Sequence, residues 1–287
     1  MRRSVIRQRK EFLEKRQNEQ VHQAIYTRKE QFREAINNAT PIPGHLRKDA
    51  LLLKKFSELD DDQTKSLVTT VDDEYAKAGV EDPRVLVTTS REPSQKLLEF
   101  AKEVRLVVPN AVRMNRGGLN IRQLMEAARR DQFSDVVVLQ ESKGVPDSLT
   151  VSHLPLGPTV VFTIHNLVTR HDIEDVGTMS EQYPHLIFEN FTTKLGCRIR
   201  DVLKYLFPVP KPESTRVLTF DNQNDFISFR HHTFKVVKRG NVQLTEVGPR
   251  MELMPCRVML GTLEMDDAET EWVLQPYMNT AKKRRLM

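Results

Sequence analysis

The sequence predicts an α/β protein made of two similar α/β halves, each a mixed sheet with packed helices, preceded by a basic helical N-terminal arm. Val136–Leu139 and Thr159–Ile164 are short apolar runs bounded by Gly, Pro or polar residues, a pattern typical of buried strands. Such strands near helices usually belong to a sheet that is covered on both faces. The order strand, strand, Gly-Pro, strand also occurs twice, which indicates an internal duplication.

The first half begins with the strand Arg84–Ser90, and Pro93 then starts the helical segment Ser94–Leu106. Its remaining elements are predicted in the order helix, strand, strand, Gly-Pro, strand: Asn120–Arg130, Val136–Leu139, Leu149–His153, Gly157-Pro158 and Thr159–Ile164.

The second half begins with the strand His185–Asn190, followed by the helical pattern Leu195–Phe207. Its later strands are interpreted as counterparts of those in the first half, with Gly248-Pro249 in the place of the earlier Gly-Pro pair: Asp225–Phe229, Asn241–Pro249 and Arg257–Leu263.

Changes in composition divide the chain into three parts. Residues 1–82 are an extension that is basic at first and then becomes an acidic linker, with nine acidic residues against two lysines from residue 57 to residue 82. The folded body is predicted at 83–270, with halves at about 83–167 and 184–263. Residues 271–287 form a basic tail in which Lys282-Lys283-Arg284-Arg285 is typical of nuclear targeting or phosphate binding.

The N-terminal arm has a helical pattern with a thin apolar stripe, and residues 2–34 carry ten Lys or Arg against five Glu. One interpretation is a solvated helix laced with salt bridges. The other is an arm that folds against RNA or a partner protein. The cations placed near phosphates in this second interpretation are Arg2, Arg3, Arg7, Arg9 and Lys10.

A second candidate for RNA contact is the segment before the helix Asn120–Arg130. Gly117-Gly118 allow backbone amides to approach a phosphate near a helix N-terminus, and Arg113 and Arg116 lie beside them. The segment lacks both the dinucleotide-binding and the phosphate-loop glycine patterns, so it does not predict a nucleotide site. A plain turn fits the same residues.

The third candidate is the strand around Phe229, where cations are interleaved with Phe and His. Alternation would place Arg230 and His232 on one face and Lys235 on the other, with Lys238 and Arg239 following. Aromatic rings beside cations suit stacking on unpaired bases and contact with phosphates. Charge that protects an edge strand from aggregation explains the pattern equally well.

Composition argues against several other classes of protein. The net charge of +5 mildly favours a polyanionic partner, and no apolar run approaches the length of a membrane helix. Two cysteines, Cys197 and Cys256, give neither a disulfide framework nor a zinc site and suggest a reducing intracellular environment. The polar bridge His165–Ser180 holds His and acidic residues without a metal-binding spacing. We therefore expect no cofactor, no metal and no catalysis.

Three segments resemble the Brix-domain proteins of ribosome biogenesis: Pro83–Ser90, Asn115–Gly118, and Asp135–Asn166 with its sequence HLPLGPT. The resemblance covers about Pro83 to Leu263. Within that family, the length and the basic arm are similar to the member found in the U3 small nucleolar ribonucleoprotein of the small-subunit processome.

The resemblance implies halves similar to the anticodon-binding domain of class IIa tRNA synthetases, and RNA binding without catalysis. It implies a nuclear, nucleolar protein that helps U3 small nucleolar RNA pair with pre-rRNA during early 18S rRNA processing. Its implied partners are these RNAs, a small protein resembling ribosomal S4 and an M-phase phosphoprotein scaffold. The alternative is a protein-interaction module that docks an acidic scaffold and makes little direct RNA contact.

Overall fold

The computed structural model describes residues 82–275 except 212 and 237–241, residues 74–75, and, between 17 and 46, residues 17, 20, 21, 24–32, 34–36, 38, 41 and 44–46. The chain divides into two compact units, Met1–Lys77 and Ala78–Met287. The boundary at 82 that composition indicates stays a prediction.

In the first unit, residues 24–32 and 34–36 are helical, and Gly44–Leu46 form a short 3₁₀ turn. The predicted apolar stripe is divided between two environments. Phe32 is buried, whereas Val21, Ile25 and Ile36 are exposed. The five cations predicted to contact RNA in the arm lie outside the described residues.

The second unit contains three α-helices, eleven strands and a 3₁₀ turn at Arg170–Asp172 within the described residues. The helices are α1 Gln95–Val107, α2 Ile121–Arg130 and α3 Lys194–Lys204. The strands are β1 Val85–Thr89, β2 Val112–Arg113, β3 Asp135–Ser142, β4 Val145–His153, β5 Thr159–Val168, β6 His185–Glu189, β7 Arg216–Gln223, β8 Phe226–Val236, β9 Val242–Glu246, β10 Arg250–Met259 and β11 Thr270–Val273.

All described strands belong to one mixed sheet with the order β2-β1-β3-β4-β5-β10-β8-β7-β6, in which β11 pairs with β10 and β9 with β8. β1 is parallel to β2 and β3, and β6 is parallel to β7, while the other pairs are antiparallel. The mixed α/β class predicted from the sequence is confirmed. The sheet is continuous, because β5 and β10 pair antiparallel along most of their length.

The strands β1-β3-β4-β5 of the first half and β6-β7-β8-β10 of the second half follow the same order in the sheet and run in the same relative directions. This arrangement corrects the correspondence between the two halves that was predicted from the sequence. Asp225–Phe229 was predicted as the counterpart of Val136–Leu139, but the strand in that position is β7. The counterpart of β4 is β8, and β9 has no equivalent in the first series. The sequence also missed β2 and β11, so the sheet extends past the predicted boundary at residue 270.

Local sequence explains several element boundaries. The Ser94 hydroxyl accepts from the Leu97 amide and caps α1, while Asn120 and Gln123 form a capping box at the start of α2. Lys143 and Gly144 connect β3 to β4 with positive φ angles of 52° and 76°, as a two-residue hairpin turn requires. The strand β4 therefore starts earlier than predicted, and β5 extends into the segment predicted to be a polar bridge.

Gly157, just before β5, has a φ of 113° and lies against the backbone of Leu260 and Gly261. A Cβ atom at this position would stand 2.8 Å from the Leu260 carbonyl oxygen. Only glycine satisfies both the backbone angle and the close approach. The Gly-Pro signal in the sequence therefore marks a place where the segment after β10 packs beside the start of β5.

The core of the first half lies on both faces of the sheet. Leu124, Met125 and Ala128 of α2 pack against Leu86, Val136 and Val138 on one face. Side chains of the opposite parity in β1 and β3 are also buried, and α1 contacts β1, β3 and β4. Burial on both faces explains why these strands read as continuous apolar runs.

Arg216, at the start of β7, is 1% exposed and forms hydrogen bonds without a carboxylate partner among the described residues. Its Nη2 donates to the carbonyl oxygens of Leu106 (3.1 Å) and Val107 (2.7 Å), at the C-terminal end of α1. Its Nη1 donates to the Gln182 carbonyl oxygen at 3.2 Å. The last carbonyl groups of a helix lack partners within the helix and carry partial negative charge, so they stabilise a buried cation.

His231 of β8 completes this arrangement. The Arg216 Nε–H donates to His231 Nε2 at 3.0 Å, and His231 Nδ1 donates to the Gly248 carbonyl oxygen at 2.7 Å. The two bonds require the neutral imidazole with its proton on Nδ1. Burial, and then the charge of Arg216, lower the pKa of His231 to about 3, although the bond to Gly248 acts in the opposite direction.

We expect the substitution Arg216→Met to lower the free energy of unfolding by about 3–5 kcal/mol, because it leaves several buried carbonyl groups and an imidazole nitrogen without a donor. Arg230→Met is the matched control, since Arg230 is half-buried on the neighbouring strand and should cost less than about 1 kcal/mol. Urea unfolding of the full chain measures both values. Equal losses for the two variants would contradict the role assigned to Arg216.

The depressed pKa of His231 also predicts a pH dependence. Since the unfolded side chain titrates near 6.5, its contribution to stability is present above that pH and is lost as the pH falls toward 3. We expect the free energy of unfolding of the parent to fall more steeply between pH 6.5 and 5 than that of His231→Asn, by up to about 1.4 kcal/mol per pH unit. Parallel pH profiles from urea unfolding would contradict this expectation.

Candidate nucleic-acid interface

Three arginines follow or end the parallel strands β1 and β2. Arg91 follows β1, Arg113 is the last residue of β2, and Arg116 lies in the loop that leads to α2. The Arg91 Nη2 lies 3.5 Å from the Asn120 Oδ1, and the Arg116 Nε donates to the Leu119 carbonyl oxygen at 3.3 Å. These contacts bring the loop after β1 against the start of α2.

These arginines form no ion pair with any other described residue. Burial, and then repulsion from the positive charge of Arg91, lower the pKa of Arg116. The N-terminus of α2 lies at the same edge and adds partial positive charge, whereas the N-terminus of α1 already binds the Glu141 carboxylate through the amide and hydroxyl of Ser94. A phosphate at this edge would relieve the repulsion between the arginines, so the arrangement favours an anionic ligand.

The β8 residues predicted to contact RNA lie on two faces. Phe226, Arg230 and His232 share the partly exposed face, whereas His231 between them is buried on the opposite face. Lys235 has the same parity as His231 and is exposed near the end of the strand. The predicted alternation is therefore present, and it separates Lys235 from Arg230 and His232.

An aromatic pair lies on the same face as Arg230. His165 of β5 and Phe226 of β8 pack edge to face, with ring centroids 5.4 Å apart and an interplanar angle of 79°. Burial lowers the pKa of His232, with Arg230 acting in the same direction and Glu246 against it. A histidine with a lowered pKa contributes a ring and hydrogen bonds at neutral pH rather than a charge. This face therefore offers aromatic and histidine rings beside one guanidinium.

The loop arginines and the β8 residues belong to strands that are far apart in the sheet order. Six strand spacings separate β2 from β8, or roughly 29 Å measured along the sheet at about 4.8 Å per spacing. The structure thus divides the predicted RNA-binding residues into the Arg113–Arg116 loop and the face of β8, while Lys238 and Arg239, like the arm cations, lie outside the described residues.

Sequence reasoning missed Arg91, His165 and Phe226 as members of these groups. The two-residue strand β2 was not predicted, so nothing in the sequence indicated that the ends of β1 and β2 meet. His165 was assigned to a polar bridge, although β5 extends to Val168. The signal that was available for Arg91 was its place just after a strand that is buried on both faces.

The described residues form neither a metal site nor a membrane-spanning helix. Among the described residues, no three His, Cys, Asp or Glu side chains come together in a group able to hold a metal ion. None of the described helices has both the length and the apolar character needed to cross a membrane. The Cys197 and Cys256 thiols are half-buried and free.

Comparison with known proteins identifies close relatives. The U3 small nucleolar ribonucleoprotein protein IMP4 of Homo sapiens is 50% identical over 285 residues, which cover 99% of this chain and 98% of that protein. The protein imp4 of the same description from Schizosaccharomyces pombe is 46% identical over 279 residues, 96% of each chain. The crystal structure of a probable ribosomal biogenesis protein from Aeropyrum pernix K1 matches with a TM-score of 0.45 and 20% identity, covering 60% of this chain and 96% of that one.

The family model described as Brix domain matches residues 90–257. The match extends from the end of β1 into β10, and it includes the Arg113–Arg116 loop and both Gly-Pro pairs. The resemblance found in the sequence is therefore confirmed, and the chain belongs to the Brix-domain family.

Proposed function

We propose that this protein is a non-catalytic RNA-binding assembly factor of ribosome biogenesis that acts in the small-subunit processome. Its proposed task is to help U3 small nucleolar RNA pair with pre-rRNA before early 18S rRNA processing, in the nucleolus. The names of its close relatives, which are U3 small nucleolar ribonucleoprotein proteins, support this role. The proposed protein partners are a small protein resembling ribosomal S4 and an M-phase phosphoprotein scaffold.

The observation that carries the proposal is the cluster of Arg91, Arg113 and Arg116 at one edge of the sheet. Arg91 and Arg116 interact with each other, Arg113 ends the neighbouring strand, and none of the three forms an ion pair with a described residue. Together with the N-terminus of α2, they suit the phosphates of a nucleic acid. The face of β8 supplies a second contact region with rings for unpaired bases.

The proposed mechanism is electrostatic. Two RNA strands repel each other through their phosphates, and cations bound between or beside them lower this repulsion. Because six strand spacings separate β2 from β8, an RNA that follows the sheet from the loop arginines to the β8 face spans several nucleotides. The protein would then hold a length of RNA in a fixed path, where a complementary strand can pair with it.

We expect the triple substitution of Arg91, Arg113 and Arg116 to Gln to reduce the slope of log affinity against log salt concentration by roughly 2–3 units. Each lost phosphate contact lowers the magnitude of this slope by about 0.7–0.9. Binding of the full chain to a U3–pre-rRNA hybrid, measured by fluorescence anisotropy at several salt concentrations, gives the slope.

The matched control is Arg122→Gln with Arg130→Gln. Both arginines are exposed on α2 and already pair with carboxylates, Arg122 with Asp266 at 3.0 Å and Arg130 with Asp131 at 3.3 Å. Their replacement should change the slope by less than one unit. If the triple variant and the control have the same slope as the parent, the loop does not contact RNA.

The β8 group makes a separate prediction. Replacing Arg230, Lys235, Lys238 and Arg239 with Ala should flatten the salt slope by roughly 3–4 units if all four contact phosphates, and by roughly 2–3 units if the RNA follows one face of β8. Single Arg230→Ala and Lys235→Ala variants distinguish these cases, because the two residues lie on opposite faces. An unchanged slope for the fourfold variant would remove this strand from the interface.

The alternative function, a protein-interaction module with little RNA contact, predicts a different result. Under the proposal, heparin competes with the U3–pre-rRNA hybrid, and pairing of the two RNAs is faster in the presence of the full chain. A full chain that binds the hybrid only at low salt and leaves the pairing rate unchanged would favour the protein-interaction module.

A further inference from the structure

The strand β9 pairs with β8 along one side only. On its other side, within the described residues, the Gly177 amide donates to the Glu246 carbonyl oxygen at 2.7 Å, and no strand pairs with the rest of this edge. The register aligns Leu244 with Phe234 and Val242 with Val236. Residue 177 therefore covers β9 only at Glu246, and no described strand covers the edge at Leu244 and Val242.

The direction of the backbone groups on this edge follows from two hydrogen bonds. Val247 donates its amide to the His231 carbonyl oxygen, toward β8, whereas Glu246 accepts from Gly177 on the opposite side. Successive residues of an antiparallel strand direct their N–H and C=O groups to alternate sides. Leu244 and Val242 have the same parity as Glu246, so their backbone groups point outward, away from β8.

The same residues expose apolar side chains. Leu244 is 59% exposed and Val242 56%, and Val236, opposite Val242, is 68% exposed. They share one face of the β8–β9 hairpin with Phe234, which is half-buried. An exposed apolar edge with free backbone groups is a template for strand addition, and proteins normally cover or charge such edges.

The charge of the hairpin limits what can bind there. Residues 226–246, which comprise β8, β9 and their connection, carry four cations, Arg230, Lys235, Lys238 and Arg239, against one acidic residue, Glu246. A second copy of this chain would bring two such positive segments together, and their repulsion opposes pairing. RNA suits the charge but gains nothing from the valine and leucine side chains or from backbone N–H and C=O groups in strand geometry. An acidic polypeptide matches all three features.

We propose that the outer edge of β9 binds an extended acidic segment of a partner protein as an added strand. The segment forms backbone hydrogen bonds with Val242 and Leu244 and places apolar side chains at alternate positions over Val236, Val242 and Leu244. Backbone bonds supply the affinity and the alternating side chains supply the specificity, as in other cases of strand addition. Lys235, Lys238 and Arg239 are also among the proposed RNA contacts, and the edge residues Val242 and Leu244 distinguish the two proposals.

The test is selection from a displayed library of random 12-residue peptides against the full-length protein. We expect the enriched peptides to alternate apolar with acidic residues. They should bind Leu244→Asp and Val242→Asp at least tenfold more weakly than the parent, a difference of about 1.4 kcal/mol. Leu156→Asp is the matched control, because Leu156 is 69% exposed in a turn far along the chain and its replacement should leave binding unchanged.

A second measurement uses the unmodified protein and so does not depend on the folding of a variant. Methylating the amide nitrogens of an enriched peptide at every second position should abolish binding in one register and preserve it in the other, because only alternate amides face β9.

The proposal is overturned if no enriched peptide depends on Leu244 and Val242, or if both methylated registers bind equally. It is also overturned if Leu244→Asp removes self-association of the parent, or if it weakens binding of the U3–pre-rRNA hybrid as strongly as that of the peptides. Loss of self-association would show that the occupant is a second copy of the chain, and equally weakened binding of the hybrid would show that it is RNA.

Discussion

The position of one buried guanidinium group constrains the whole folded body. Arg216 keeps its charge out of water without a carboxylate among the described residues, so its stability depends on carbonyl groups that α1 presents at its C-terminal end. α1 belongs to the first half of the body and Arg216 to the second. The bond network therefore holds the two halves in one relative position, and the pairing of β5 with β10 does the same along the sheet.

This fixed geometry gives the two candidate RNA-contact regions a constant separation. The loop arginines lie at the end of the sheet near β2, whereas the ring of Phe226 in β8 packs against that of His165 in β5, nearer the middle of the sheet. The strands between them connect the two regions, so in the proposed function the phosphate contacts would be positioned by strand geometry. Contacts that are in place before binding would lower the entropy cost of holding the RNA.

The sequence revealed those parts of the fold that local physics determines. The apolar runs of β1, β3 and β5 and the approximate starts of α1 and α2 were visible, because strands buried on two faces and helix starts leave strong local patterns. The predicted strands of the second half were matched to the wrong strands of the first half, because β9 has no counterpart there. The strand that comes just before Gly248-Pro249 is β9, so β9 was taken for the counterpart of β4 in place of β8.

Contacts that depend on folding left no such pattern. β7 begins with a buried Arg216 and ends in polar residues, so it did not resemble a core strand. The meeting of Arg91 with Arg116 requires β2, a strand of only two residues. The side of β8 on which each cation lies could be predicted from alternation, but not which side was buried, since both faces carry mixed residues.

The pairing of β5 with β10 has a consequence for the newly made chain on the ribosome. β5 is complete at Val168, but its partner is not synthesised until Arg250–Met259, an interval of roughly 4–16 s at ordinary rates of translation. During that time β5 can pair with β4 but has an unpaired edge on its other side, and its Val160, Phe162 and Ile164 are destined for the core. The middle of the finished sheet is therefore the part of the emerging polypeptide that most needs shielding by chaperones.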